Sequence, residues 1–366
     1  MTKRTRLFIF VSGGILAAGL GTGLVAAYMG GLQNLSILGA SGADELSYLP
    51  SDAKAVAFAN VREIMDSELH QKLRAMAPRN DNGLAKFEEE TGVDVTRDVD
   101  SVFAALGGNG AAGGDPASAS PGSTALHQGQ PLLMARGRFD PVRIEGVVRS
   151  KGGTVEDYKG IRLLAIVEPS GSMNAGLAFV EPGLIAMGDL TAVRRAIDAH
   201  SGAAASVSSN QDLMRLIKDA NDGNAWVVAR FDALSAAGQL PPEMLQRLPA
   251  INWLTVTGHV NGGVRAAIRA EARDEMAAKN LREVVTGMLA LAKIGVGQQG
   301  ELSALVNSIE LGGEGNNVSL GLSVPIEVID RLASLHTPGA PSVPLFPAPS
   351  APEAPTAPEP PAVTAP

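Results

Sequence analysis

The uncharged run from Leu7 to Leu32, LFIFVSGGILAAGLGTGLVAAYMGGL, constrains this chain more than any other feature. A helix needs about 20 apolar residues to cross a bilayer core, and this run supplies them. Buried core helices are shorter and amphipathic. Lys3, Arg4 and Arg6 precede the run, so the positive-inside rule keeps them cytoplasmic and sends the rest of the chain out. Two membrane readings stay open. One is a signal anchor that remains as a transmembrane helix. The other is a cleaved signal peptide, with Val25 and Ala27 as the small residues before the cut. The run is long for a signal peptide, which favours the anchor. Gly19 and Gly23 form a small-xxx-small pair, as do Ala18 and Thr22, a spacing that permits close helix packing and a homodimer.

The opposite end is excluded from any fold for a different reason. Residues 338–366 hold 11 prolines, which remove backbone donors and fix φ, so neither helix nor sheet propagates there. A disordered, polyproline-like tail is expected. Residues 33–46 read as a linker. Residues 107–130 read as a Gly/Ala/Ser-rich loop that cannot build an apolar face.

What remains, 47–209 and 210–337, carries an α+β pattern. Strands are expected at Ala55–Val61, Pro131–Arg138, Ile161–Val167, Ala175–Val180 and Leu184–Met187. Ile64, Met65, Leu69, Leu73 and Met76 predict one helix. Asn82 begins another that Gly92 ends, and Asp140-Pro141 begins a third. The strand-to-helix stretch Ala55–Ile64 aligns with Ala225–Leu234 170 residues later. Strands at Trp253–Val260, Val264–Ala270, Leu305–Leu311 and Asn317–Leu322 and helices over 274–292 and 326–335 complete the second part. The expectation is two tandem α+β repeats, each an antiparallel sheet with helices packed on one face, preceded by one transmembrane helix.

Tyr48-Leu-Pro-Ser-Asp52, then Thr91, Gly92, Asp94, Asp98, Gly107 and Gly108, resemble an uncharacterised family of bacterial exported proteins. In that family a Leu-Pro-x-Asp opening precedes a strand, and a Thr-Gly-apolar-Asp segment precedes a stretch ending in Gly-Gly. The resemblance covers about sixty residues. It implies an envelope location and a repeated α+β fold, and no activity.

Composition narrows the chemistry. There is no cysteine, which excludes disulfides, Cys-zinc sites, Fe–S clusters and thiol nucleophiles. Net charge −8 and 4% aromatic residues argue against a nucleic-acid partner, which needs clustered Lys/Arg and stacking platforms. His70, His127, His200, His259 and His336 lie in no ligand spacing, so no metal site is expected. Gly108–Gly113 and Gly295–Gly300 match G-x-G-x-x-G but do not link a strand to a helix, so no cofactor is expected. Glu88, Glu89, Glu90, Asp94, Asp98 and Asp100 read as a solvated acidic face. Arg136, Arg138, Arg143, Arg149 and Lys151, with Arg194 and Arg195, read as the polar face of a strand and helix. No catalytic residue is assigned.

The sequence reading is a non-catalytic, membrane-anchored interaction or scaffolding protein of the bacterial cell envelope, single-pass in the inner membrane with a periplasmic bulk. Its partners are the bilayer, through residues 7–32, and an envelope protein or wall component. The alternative is an exported, hydrolase-like enzyme with a site assembled between the two repeats. A deep pocket with convergent ionisable groups between the halves distinguishes it.

Overall fold

The computed structural model describes residues 44–76, 82–107, 131–167, 174–236, 250–296 and 306–328. The anchor, the Gly/Ala/Ser-rich loop, the Pro-rich tail, Gly19, Gly23, His127 and His336 lie outside the described residues. Among those described, no helix is long and apolar enough to cross a membrane.

Among the described residues twelve strands form one antiparallel sheet. They are β1 Ala55–Ala59, β2 Val99–Leu106, β3 Pro131–Gly137, β4 Thr154–Tyr158, β5 Ile161–Val167, β6 Asn174–Glu181, β7 Leu184–Asp189, β8 Ala225–Arg230, β9 Ile251–His259, β10 Gly263–Ala272, β11 Ile309–Gly312 and β12 Asn317–Pro325. Their order across the sheet is β11-β12-β10-β9-β8-β1-β2-β3-β7-β6-β5-β4. The helices are α1 Val61–Asp66, α2 Glu68–Met76, α3 Asn82–Thr91, α4 Val95–Asp98, α5 Pro141–Ser150, α6 Leu190–His200, α7 Gln211–Ala220, α8 Phe231–Ala236 and α9 Glu275–Val296.

The strands alternate sides, so each face has its own core. On one face Val56, Phe58, Phe103, Leu132, Met134, Leu163, Leu184, Trp226 and Val228 meet α6, α7 and the turn at Glu45–Tyr48. On the other, Val102, Leu133, Ala135, Leu164 and Ile185 meet Val61 of α1, Phe87 of α3 and Ile144 and Val148 of α5. The expectation of helices on one face is therefore corrected. The strands of the first half are hydrophobic on both sides, which requires a cover on both.

Individual helices begin and end where their capping chemistry dictates. Asp140 caps α5, accepting from the amides of Val142 at 2.9 Å and Arg143 at 3.1 Å, with Pro141 in the first turn. Gly92 sits at φ +75° after α3, where a Cβ would collide with the Arg143 guanidinium. The single helix expected over 64–76 is instead two. The Ser67 hydroxyl donates to the Ile64 carbonyl at 2.6 Å and accepts from the His70 amide at 3.2 Å, closing one helix and opening the next. Helix α7 was not anticipated. Leu213, Leu216, Ile217 and Ala220 line its buried face, and Asn210 caps it.

The halves join by strand pairing. β1 and β8 run antiparallel with Ala57 opposite Val227 and Phe58 opposite Trp226. The Phe58 ring lies 4.7 Å from Phe103 and 5.8 Å from Trp226, centroid to centroid. Among the described residues the first half contributes seven strands and the second five, so the sheet does not divide clearly into the two tandem repeats expected.

Candidate binding surface

From β9 outward, the face that carries α6 and α7 over the rest of the sheet changes character. Register places Trp253, Thr255, Thr257 and His259 of β9 beside Glu271, Arg269, Ala267 and Arg265 of β10. Asn317, Ser319, Gly321 and Ser323 of β12 continue the rows. A sheet face this polar cannot hold a helix by apolar burial. Helix α9 lies on the opposite face, where Ala277, Ala278 and Leu281 pack on Ala270, Ala272 and Val318.

A hollow of about 250 Å³ opens between α7 and this polar face, lined by Arg215, Asp219, Thr255, Arg269, Asn317 and Ser319, among others. Small-molecule pockets run from about 300 to 1,000 Å³, so this hollow suits one small polar group rather than a cofactor. The Arg215 guanidinium donates to Glu271 at 2.8 Å. Arg269 is exposed and makes no ion pair among the described residues. Arg215, Arg269, Asn317 and Ser319 supply donors, while Glu271 and Asp219 supply acceptors. That mixture suits a ligand carrying both kinds of group.

At the end of the same face, burial holds the His259 imidazole below its ordinary pKa. Asp222 opposes the shift and Arg265 adds to it. Arg265 Nε and Nη2 are buried and make no hydrogen bond among the described residues. Desolvation lowers the pKa of that guanidinium, against the opposing pull of Asp222.

A second hollow, of about 370 Å³, lies over the first half between Phe139, Pro141, Ile161, Phe179 and Pro182. Its charged members are Glu145, Arg162 and Glu181. Arg162 donates to Glu145 at 2.6 Å, and Glu181 accepts from the Tyr48 hydroxyl at 2.9 Å.

The charged clusters singled out in the sequence are drawn into pairs. Arg138 meets Asp98 at 3.1 Å, Arg149 meets Glu145 at 2.9 Å, and Arg143 donates to the Glu89 carbonyl at 2.7 Å. Lys151 pairs with Glu90, Arg194 with Glu156 and Arg195 with Asp52. Arg62 Nε donates to Asp100 at 2.6 Å, and Asp94 caps α4. Thr96 and Arg97 hold the Asp94 carboxyl below its usual range against the opposing effect of burial. No group of three or more metal-ligating side chains is found among the described residues.

The Leu-Pro-x-Asp opening is structural. Tyr48 and Leu49 are fully buried, and Pro50 bridges to Ser206. The Tyr48 ring stacks on His200 at 3.9 Å between centroids. Burial and the Glu181 carboxylate push the Tyr48 hydroxyl well above the usual phenol range, so it remains a donor. Arg136 joins Glu181 at 3.4 Å and also pairs with the buried Glu45.

The polar face of β9, β10 and β12 was missed in the sequence. Its signal was there, in the alternation of Arg265, Arg269 and Glu271 with Val264, Ile268 and Ala270. Only the pairing shows that these side chains line up with the hydroxyls of two neighbouring strands.

No protein-family model matches the chain, and no curated protein matches it. Among solved structures, crystal form I of TP0453 is similar with a TM-score of 0.38 and 10% sequence identity. The match covers 81% of this chain and 99% of that one. A likeness at that level carries no argument about fold or function.

Proposed function

We propose that the protein is a non-catalytic interaction or scaffolding protein of the bacterial cell envelope. It is held in the inner membrane by residues 7–32 and presents the polar face of β9, β10 and β12 to a wall component or envelope protein. The observation that carries this reading is the polar face itself, which no helix covers among the described residues, with Arg269 free of any ion pair among those residues beside the Arg215–Glu271 pair. A ligand with hydroxyl, amide and carboxylate groups, such as a wall glycan with its peptide, matches that set of donors and acceptors. Release of the bulk after signal cleavage is the alternative location.

The exported-enzyme reading is less well supported. At the seam between the halves, Phe58, Trp226, Val56 and Val228 fill the space that a catalytic cleft would need. The repeat reading is supported at one point. Ala57 and Val227, equivalent at the 170-residue offset, lie directly opposite each other, and each of their strands leads into a short helix.

The test is co-sedimentation of the detergent-solubilised full chain with purified cell-wall sacculi. Retention that Arg269→Glu abolishes supports the reading. Equal retention of the variant and the natural chain, or no retention under cross-linking, overturns it.

A further inference from the structure

We infer that the C-terminal half of α9 is a second, peripheral contact with the bilayer. The inference rests on the membrane-anchored reading above. Helix α9 runs 22 residues, about 33 Å, and its two halves differ. The first half carries Glu275, Lys279, Arg282 and Glu283, and it packs on the sheet through Ala277, Ala278 and Leu281. From Val284 to Val296 the only charge is Lys293. In this second half Met288 is 50% exposed, Leu291 70% and Ile294 76%. Their spacing of three places them along one side of the helix. Ile268, on the sheet face that α9 packs against, is also exposed.

Scattered exposed apolar residues need no explanation, but a run of them on one helix side does. The pattern selects lipid as its occupant. Nothing acidic lies between Val284 and Val296 to be repelled by anionic headgroups, and Lys293 can extend its ammonium to them while Leu291 and Ile294 enter the acyl boundary.

Reach agrees. The described chain begins at Asp44, and the neighbouring Glu45 pairs with Arg136 of β3. From β3 to β10 is five strand spacings, about 24 Å. Residues 33–43 extend to at most about 39 Å, so the tether lets α9 lie on the membrane that holds the anchor.

The natural chain has no cysteine, so single cysteines report cleanly. Leu291→Cys, Lys279→Cys and Phe10→Cys full-length proteins are each labelled with an environment-sensitive fluorophore. They are reconstituted in vesicles of phosphatidylcholine and phosphatidylglycerol at about three to one, a composition within the range of anionic surfaces such helices recognise. The Leu291 probe should lose most of its emission to brominated lipid and little to aqueous iodide, with the Lys279 probe doing the reverse. Ile294→Glu in the Leu291→Cys background should restore iodide quenching.

Iodide quenching of the Leu291 probe while the Phe10 probe is lipid-quenched overturns the contact and leaves the anchor standing. A Leu291 probe shielded from both quenchers in a species of dimer mass overturns it in favour of a second copy. A Phe10 probe in water overturns the anchor, and a Leu291 probe also in water then overturns the contact with it.

Discussion

The two ends of the sheet are built from the same strand geometry and treat their faces differently. Over β1, β2, β3 and β7 both faces carry helices. Phe103, Leu132, Met134 and Leu163 lie under α6 and α7 on one side, and Leu133, Leu164 and Ile185 lie under α1 and α5 on the other. Over β9–β12 one face carries α9, and the other carries Thr255, Arg269, Glu271 and Ser319 with, among the described residues, the edge of α7 against it. Covered strands place apolar residues at every position, whereas half-covered strands alternate. The difference divides the molecule into a part that supplies stability and a part with polar groups to spare.

The largest expected effect comes from the seam that makes these two parts one sheet. Trp226 is 2% exposed, and its indole donates to Asn221 at 3.0 Å. Trp226→Ala should cost about 3–5 kcal/mol, read as a shift of the denaturant midpoint. If the two parts are separate cooperative units, the variant will instead show one unchanged transition and one shifted.

Next is Arg136→Ala in the closed part. It strands Glu45, which is 3% exposed, and removes a partner of Glu181. Because Arg136 itself is one-third exposed, a loss of about 2–3 kcal/mol is expected, somewhat below that for a fully buried pair. Glu45→Gln together with Arg136→Ala should recover part of it. A loss no larger than that of Arg149→Ala, whose pair with Glu145 is at the surface, would show that the buried acid is not strained by losing its partner.

Arg215→Ala in the open part should behave oppositely. Its pair with Glu271 is half-exposed, so stability should fall by under about 1 kcal/mol while retention on sacculi weakens markedly. A large stability loss with unchanged retention would move this residue from the binding surface to the core.

The smallest effect concerns pH. His259 has a folded-state pKa below its ordinary value of 6.5, so the unfolded chain takes up a proton first as pH falls. Stability is unaffected by this group above that value and declines as pH drops from there toward the folded pKa. His259→Gln should flatten that limb of a stability–pH curve. Asp94 and Asp274, whose carboxyls are held low, add a further loss nearer the carboxylate range, which the variant leaves intact.

Legibility in the sequence followed the local nature of the signal. Asp140 with Pro141, and Gly92, mark helix ends by chemistry within a few residues, and the helices at Pro141–Ser150 and Asn82–Thr91 form where expected, although Asn82 is the first helical residue rather than the cap before it. Strand β4 was missed because Thr154–Tyr158 is a polar edge strand with little alternation to detect. Strand β2 carries no alternation to detect, because Val99–Leu106 is buried on both faces and begins among acids that read as a solvated surface.

By itself the sequence determined the helix start at Asp140-Pro141 and the stop at Gly92, because such signals lie within a few neighbouring residues and act in any context. It also determined the α+β class, but of the capping side chains it marked Asp140 and not Asn60, Asp94, Asp189 or Asn210. Tertiary structure alone decided that the helices cover both faces, that the basic and acidic runs neutralise each other, and that Arg215, Arg269 and Glu271 share a surface with Ser319. Those outcomes depend on strand order and register, which join residues as far apart as Glu271 and Asn317 through backbone hydrogen bonds that carry no side-chain signature.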